Sequence, residues 1–199
     1  MTDEAVHFRA ELERIRRVSD MLCAGHAGLR DHFARRALTL DLAILALSTW
    51  LVALAFVQPQ INLSLTPFSL DPTLWVGLLA IMTFLLSVVQ MKVDWKGLSD
   101  AHTRSCALYA SVHREAGYVL AGAVDSDDQA CRQLIERFDL AGVVGIGIPE
   151  NQFLAQKRRH LMKKAISKYL DTHPAASIFL TRTRFWFRDN LSRQSNDER

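Results

Sequence analysis

The sequence predicts an all-α membrane protein: a two-span transmembrane helical hairpin extended into a cytoplasmic antiparallel helical stalk, with further helices towards the C-terminus. Three observations predict it. Two apolar runs, 37–57 and 73–91, are each close to the ~20 residues that a helix needs to cross a hydrocarbon core. Every Lys and Arg of the chain lies before Ala37 or after Met91. Apolar residues then recur at spacings of three and four on both outer flanks of the pair, the period of a helix seam.

Composition averages over this division. The 199 residues are 49% hydrophobic and 23% charged, with a mean hydropathy of only +0.05. A soluble core helix rarely runs twenty residues without a polar face. The formal charge of +3 is too mild to imply nucleic-acid binding by itself. Cys23, Cys106 and Cys131 show no CxxC spacing, so free thiols in a reducing compartment are expected rather than a disulfide framework. The first 36 residues are too charged, and the apolar run starts too late, for a cleavable secretory signal. The first run is expected to act as an uncleaved anchor.

Residues 2–34 read as an amphipathic helix whose seam is Leu12, Ile15, Ser19, Leu22, His26, Leu29 and Phe33. Gly25 and Gly28 weaken it and mark where a kink would fall. On this seam His26 reads either as a hydrogen-bonded packing residue or as a ligand or pH sensor. The first span follows. Its eleven Leu, Ile, Val and Phe residues favour insertion by roughly 3 to 7 kcal/mol, against about 3 kcal/mol for a central Asp. Asp41 lies near the end of the run, so insertion wins. Its carboxylate is expected to snorkel to headgroups or pair with Arg36, or else to serve a pore.

The segment between the runs, QPQINLSLTPFSLDP, has Asp71 as its only charge, and its prolines suit a break between helices. Arg30, Arg35 and Arg36 precede the first span, and Lys92 and Lys96 follow the second. The positive-inside rule therefore puts both tails in the cytoplasm and the connecting loop outside, the topology of a multi-pass protein. After the second span, Leu98, Ala101, Ser105, Leu108, Val112 and Val119 repeat the seam from about 92 to 120. A membrane hairpin makes its two emerging helices run antiparallel, and small residues at Ala101 and Ser105 let them approach closely.

HAGLRDHFARRA, entering the first run, and VDWKGLSDAHTRSCALYASVHREAG, leaving the second, resemble the SLATT domain, the two-transmembrane module found beside SMODS nucleotidyltransferases and SLOG proteins in bacterial conflict systems. The portion around Trp95, Ala101, His102 and 109–114 is the most family-like. The resemblance covers roughly 26–120, with a weaker echo in IPENQFLAQKRRHLMKKAISKYLDTHPAAS. It implies a membrane effector of an antiphage system that assembles into a homo-oligomeric pore when triggered. It further implies partners: a nucleotide second-messenger synthase, a reverse transcriptase or another cytoplasmic defence protein.

Residues 121–149 are expected to form a short helix and a linker. Asp127 or Asp128 would cap that helix, which runs to about Leu140 with Cys131, Leu134, Ile135 and Phe138 on one face. AGVVGIGIPE lacks both the P-loop Lys-Ser/Thr and the dinucleotide GxGxxG order, so it reads as linker. Next comes a basic amphipathic helix over 150–171, with Phe153, Leu154, Leu161, Ala165, Ile166 and Tyr169 as its apolar side. Its cations, Lys157, Arg158, Lys163 and Lys164 among them, suit an anionic leaflet, an anionic ligand or a solvated bundle face. An aromatic and arginine-rich segment with Arg182, Arg184 and Trp186 follows, fitting a membrane interface or a subunit contact. Residues 192–199 are polar and expected to be disordered.

No catalytic or cofactor motif is present: the sequence has no HExxH, GxSxG, metal-spaced Cys/His cluster or paired carboxylate in an apolar setting. No enzyme activity, metal or cofactor is expected. The positions left for function are small or polar ones in the spans: Asp41, Ser48 and Thr49 in the first, Gly77, Ala80, Thr83, Ser87 and Gln90 along one stripe of the second. Such stripes serve helix packing in lipid or face water. Two spans cannot enclose a channel, so a pore requires several copies in a closed ring. The alternative is a non-conducting anchor whose basic C-terminal helix recruits a cytoplasmic enzyme.

Overall fold

Helix is the only regular secondary structure among the described residues, which are 3–56, 66–67, 71–122 and 128–191 of a computed structural model. We label the helices α1 (Asp3–Phe56), α2 (Pro72–Val93), α3 (Trp95–Leu120), α4 (Asp128–Val144), α5 (Glu150–Thr172) and α6 (Ile178–Leu191). The expected interspan loop lies outside the described residues except at Thr66, Pro67, Asp71 and Pro72, as do the expected cap at Asp127, the side chain of Asp128 and the tail 192–199. Two compact units form, Met1–Gly25 with Leu108–Arg199, and His26–Ala107. α1 and α3 each contribute to both.

α1 runs unbroken through Gly25 and Gly28. No break falls there, and at Gly25 the absent side chain has a packing role. A Cβ on Gly25 would lie 3.3 Å from Ile148 Cδ1 and 3.7 Å from Gln156 Cβ, so glycine admits the close approach of α5 and the residues leading into it. In this unit Leu12 and Ile15 of α1, Val112 and Ala116 of α3, and Cys131 and Leu134 of α4 form the core, flanked by Phe8, Ile135 and Phe138. Polar contacts fix the register: His113 Nδ1 meets the Arg16 carbonyl at 3.0 Å and Arg137 pairs with Glu115 at 2.6 Å. α4 continues to Val144, four residues beyond the sequence expectation. Ala141, 2% exposed, adds an inward position one turn past Phe138, so half of the expected linker is helix. Inside the same unit the Ser19 hydroxyl is fully buried with no hydrogen-bond partner among the described residues. An unsatisfied buried hydroxyl costs more than it contributes. Ser19→Ala is therefore expected to stabilise the fold by about 1 kcal/mol, read as a higher denaturation midpoint.

In the second unit α1 and α3 run antiparallel: His26 meets His102, and four residues further along α1 the Arg30 carbonyl accepts from Ser99 Oγ at 3.2 Å. α2 begins at a cap built by Asp71, the residue that precedes it. Asp71 Oδ1 accepts from the backbone N–H groups of Thr73 (2.8 Å) and Leu74 (3.3 Å), and Pro72 occupies the first turn, where its missing N–H is not needed. At the other end, the helix expected to run on from 92 is interrupted. Asp94 adopts a left-handed conformation (φ 41°, ψ 53°), ending α2, and its carboxylate accepts from Gly97 N–H at 3.0 Å to start α3. Asp tolerates this backbone better than most residues.

The apolar stretches of α1 and α2 are long and apolar enough to cross a membrane, and only 17% of the first window and 6% of the second are buried. Core helices of soluble proteins bury such stretches. Here Leu38, Leu42, Leu45, Val52, Phe84 and Leu85 are more than half exposed, and only a few residues, Leu54 and Leu79 among them, turn inward.

Candidate functional site

Three places gather chemically distinctive side chains. The first lies where α2 gives way to α3. Asp41 of α1 accepts from Gln90 Nε2 of α2 at 2.5 Å and pairs with Lys96 Nζ of α3 at 2.9 Å. The expected partner of Asp41 was Arg36; instead Arg36 lies over the Trp95 ring, 5.9 Å from its centroid. The break at Asp94 turns α3 so that Lys96 reaches the carboxylate, and the carboxylate in turn raises the Lys96 ammonium above its ordinary value. A charge near the end of an apolar run is thus paired with a cation from a neighbouring element.

The remaining span positions are less engaged. Ser48 and Thr83 are half-buried, while Thr49, Gly77, Ala80 and Ser87 are exposed. A Cβ on Gly77 would meet nothing within 4 Å. The hydroxyls bond along their own helices: Thr49 to the Leu45 carbonyl at 2.8 Å, Thr83 to Leu79 at 2.8 Å and Ser87 to Thr83 at 2.9 Å. Such back-bonding satisfies a hydroxyl without water. The stripe of the second run is therefore open on its outer side within a single chain.

The second place is a buried histidine pair. His26 (1% exposed) and His102 (3%) bring their Nδ1 atoms to 2.9 Å, and Phe33 stacks on His102 at 5.6 Å with rings nearly parallel. A bond between two Nδ1 atoms needs one ring to donate and the other to accept, so the accepting ring is neutral. Burial and the neighbouring His102 push His26 down to about 4, and burial lowers His102 as well. Of the expected seam residues, His26 and Ser105 are buried and Leu98 and Ala101 are half-buried, but Leu108 faces outward at 36% exposure. The inward positions of α3 are Ser99, His102, Ser105, Tyr109, Val112 and Ala116. An apolar-only template passes over His102 and Tyr109 and selects Leu108 in their stead.

The third place is α5 with α6. Lys164 pairs with Asp20 at 2.6 Å, and His160 Nε2 lies 3.6 Å from the same carboxylate. Burial works to raise the Asp20 carboxyl, but the hydrogen bond and charge of Lys164, with His160 and His113, hold it below its ordinary value. Lys157, Arg158 and Lys163 are exposed. Leu154, Leu161 and Ala165, expected on an apolar inner side, are exposed too, because the inner side of α5 is occupied by Gln156, His160 and the Lys164 bond to Asp20. Phe153, Ile166 and Tyr169 are half-buried. α6 is held to α5 by Tyr169 against Phe185, edge-to-face at 5.8 Å, with Arg188 4.8 Å above the Phe185 ring. Arg182, Arg184 and Trp186 remain exposed.

Compared with protein-family models, curated proteins and solved structures, the chain finds no match. Its chemistry must be argued from these three places. Among the described residues no three His, Cys, Asp or Glu side chains come together as a metal would need. His102, Lys96 and Asp20 escape a reading along single helices, because each of these bonds crosses between helices. The antiparallel pairing of α1 with α3 is the signal for the first two; Asp20 meets α5, for which the sequence offers none.

Proposed function

We propose that the chain is a multi-pass protein of the bacterial inner membrane, both tails cytoplasmic, acting as an antiphage effector that oligomerises into a pore when a nucleotide signal or partner protein triggers it. The reading joins the SLATT resemblance to one structural observation: few residues of the two long apolar stretches are buried, which leaves much of their surface uncovered. In lipid that surface is solvated, and the backbone is satisfied within each helix. The stripe of Gly77, Ala80, Thr83 and Ser87 supports the oligomeric part of the proposal. Small residues open on the outer side of a helix allow close approach of a second copy, and any conducting path must be enclosed by several copies. The boundary cluster of Asp41, Gln90 and Lys96 supports the membrane part.

Expression in bacteria, alone and with the gene products encoded beside it, is expected to collapse membrane potential, as reported by a potential-sensitive dye. Ser87→Leu, which fills the open stripe while keeping the run apolar, is expected to abolish the collapse. Replacing residues 37–91 by an unrelated two-span hairpin should abolish it also. A membrane-inserted protein whose triggered expression leaves the potential intact overturns the pore reading. Function retained after the hairpin swap supports instead a non-conducting anchor, a role for which the exposed basic residues of α5 would be the recruiting surface.

A further inference from the structure

The charge of the chain is concentrated near its C-terminus. Residues 150–191 carry nine Lys and Arg against three Asp and Glu, a surplus of six, whereas the whole chain is only +3. Remove this segment and the remainder is net negative. Two of the nine are engaged within the chain, Lys164 by Asp20 and Arg188 by Asp189. Of the others on α5, Lys157, Arg158 and Lys168 are exposed on one stripe together with Leu154 and Leu161. Helical spacing of three and four puts these five residues within about 100° of arc. Leu154 and Leu161 are 58% and 55% exposed, so the stripe presents aliphatic side chains flanked by cations. α6 continues the pattern on the side away from the Tyr169–Phe185 contact: Phe179, Leu180, Trp186 and Phe187 are 73%, 65%, 48% and 54% exposed, with Arg182 and Arg184 between them in sequence.

We propose that α5 and α6 lie on the anionic surface of a phospholipid bilayer, cations at the headgroups and aliphatic and aromatic side chains inserted below them. Exposed apolar surface of this extent requires a cover, and the surplus of six positive charges selects an anionic one. The aliphatic residues decide between the two polyanions that fit. Single-stranded nucleic acid uses aromatic rings for stacking and cations for phosphates, and has no use for exposed Leu154, Leu161 and Leu180. A lipid surface takes aliphatic, aromatic and cationic side chains together. The inference is independent of whether the hairpin conducts: a silent anchor with the same C-terminal helices would bind the same surface.

The test uses the full-length protein in nanodiscs of phosphatidylcholine, alone or with added phosphatidylglycerol. Hydrogen exchange across 150–191 is expected to slow several-fold when phosphatidylglycerol is present and to revert at high salt, while 128–144 is unchanged. Trp186, left as the sole tryptophan, is expected to be quenched by brominated acyl chains only in the anionic discs. The triple variant Lys157→Glu, Arg158→Glu, Lys168→Glu should lose both responses. Because those three residues are exposed, unchanged exchange in 128–144 checks that the variant is folded. Exchange and quenching that ignore lipid charge overturn the proposal. So does protection conferred by an added single-stranded oligonucleotide but not by phosphatidylglycerol.

Discussion

Truncating Ile15 to alanine is expected to destabilise the protein by about 3 kcal/mol, measured as a lower denaturation midpoint of detergent-solubilised protein, whereas Leu108→Ala is expected to cost only about 1 kcal/mol. Both positions follow the same three-four rule in sequence, but their surroundings differ. Ile15 is fully buried and sits where α1, α3 and α4 converge, against Leu12, Val112, Ala116, Cys131 and Leu134. Removing its side chain leaves a cavity lined on three sides by helices that are held by other contacts, including His113 to the Arg16 carbonyl and Arg137 to Glu115. Such a site cannot collapse fully, which places its cost well above bare transfer. Leu108 is 36% exposed, so its truncation uncovers a partly buried patch but leaves no enclosed cavity. Equal losses at the two positions would mean that the seam of α3 runs through Leu108 and not through His102, Tyr109 and Val112.

The helices themselves were readable because their signals are local. Long apolar runs bounded by charge gave α2 within two residues at either end, and Asp71-Pro72 stands where a helix start is expected. Glu150 opens α5 directly after Pro149, as expected. Two boundaries were not legible. α4 runs past Leu140 because Ala141 is buried, and nothing in AGVV distinguishes an inward alanine from a linker residue. The break at Asp94 depends on one left-handed residue inside a stretch with good helical periodicity. Candidate-site residues fared less well for a related reason. Asp41 was recognisable as a charge in need of a partner, but the partner was set by that break, which lets Lys96 reach the carboxylate while Arg36 turns to Trp95. His26 was recognisable as a seam histidine, yet its partner His102 lies 76 residues away. On α5 the periodic leucines face outward, since Asp20 draws Lys164 and His160 to the inner side. Periodicity locates a stripe but does not say which neighbour competes for it.

Lowering the pH from 7 to 5 is expected to cost the folded state about 2 kcal/mol through His26. The histidine sits at about 4 in the folded protein against 6.5 ordinarily, because burial and the adjacent His102 disfavour the imidazolium. Between those two values the unfolded chain binds more protons than the folded one, so stability rises with pH across the window. The contribution is complete above 6.5, falls as His26 would protonate in the unfolded chain, and is exhausted near 4. The full shift corresponds to roughly 3 kcal/mol. The geometry gives the same sign: an Nδ1-to-Nδ1 contact of 2.9 Å needs an accepting ring, and two imidazolium rings would leave both atoms as donors with like charges adjacent. Denaturation midpoints of the wild type at pH 7, 6 and 5 should therefore fall steadily, and the His26→Phe variant should show a shallower slope even if its midpoint at pH 7 is lower. The slope carries the test, because a purely structural loss on substitution would shift all three midpoints equally. An unchanged slope in the variant would assign the acid sensitivity to other groups, with His102, which burial also lowers, the next in line; Asp20, whose carboxyl Lys164 holds below its ordinary value, contributes stability that is lost only as the pH falls through and below the ordinary carboxylate range.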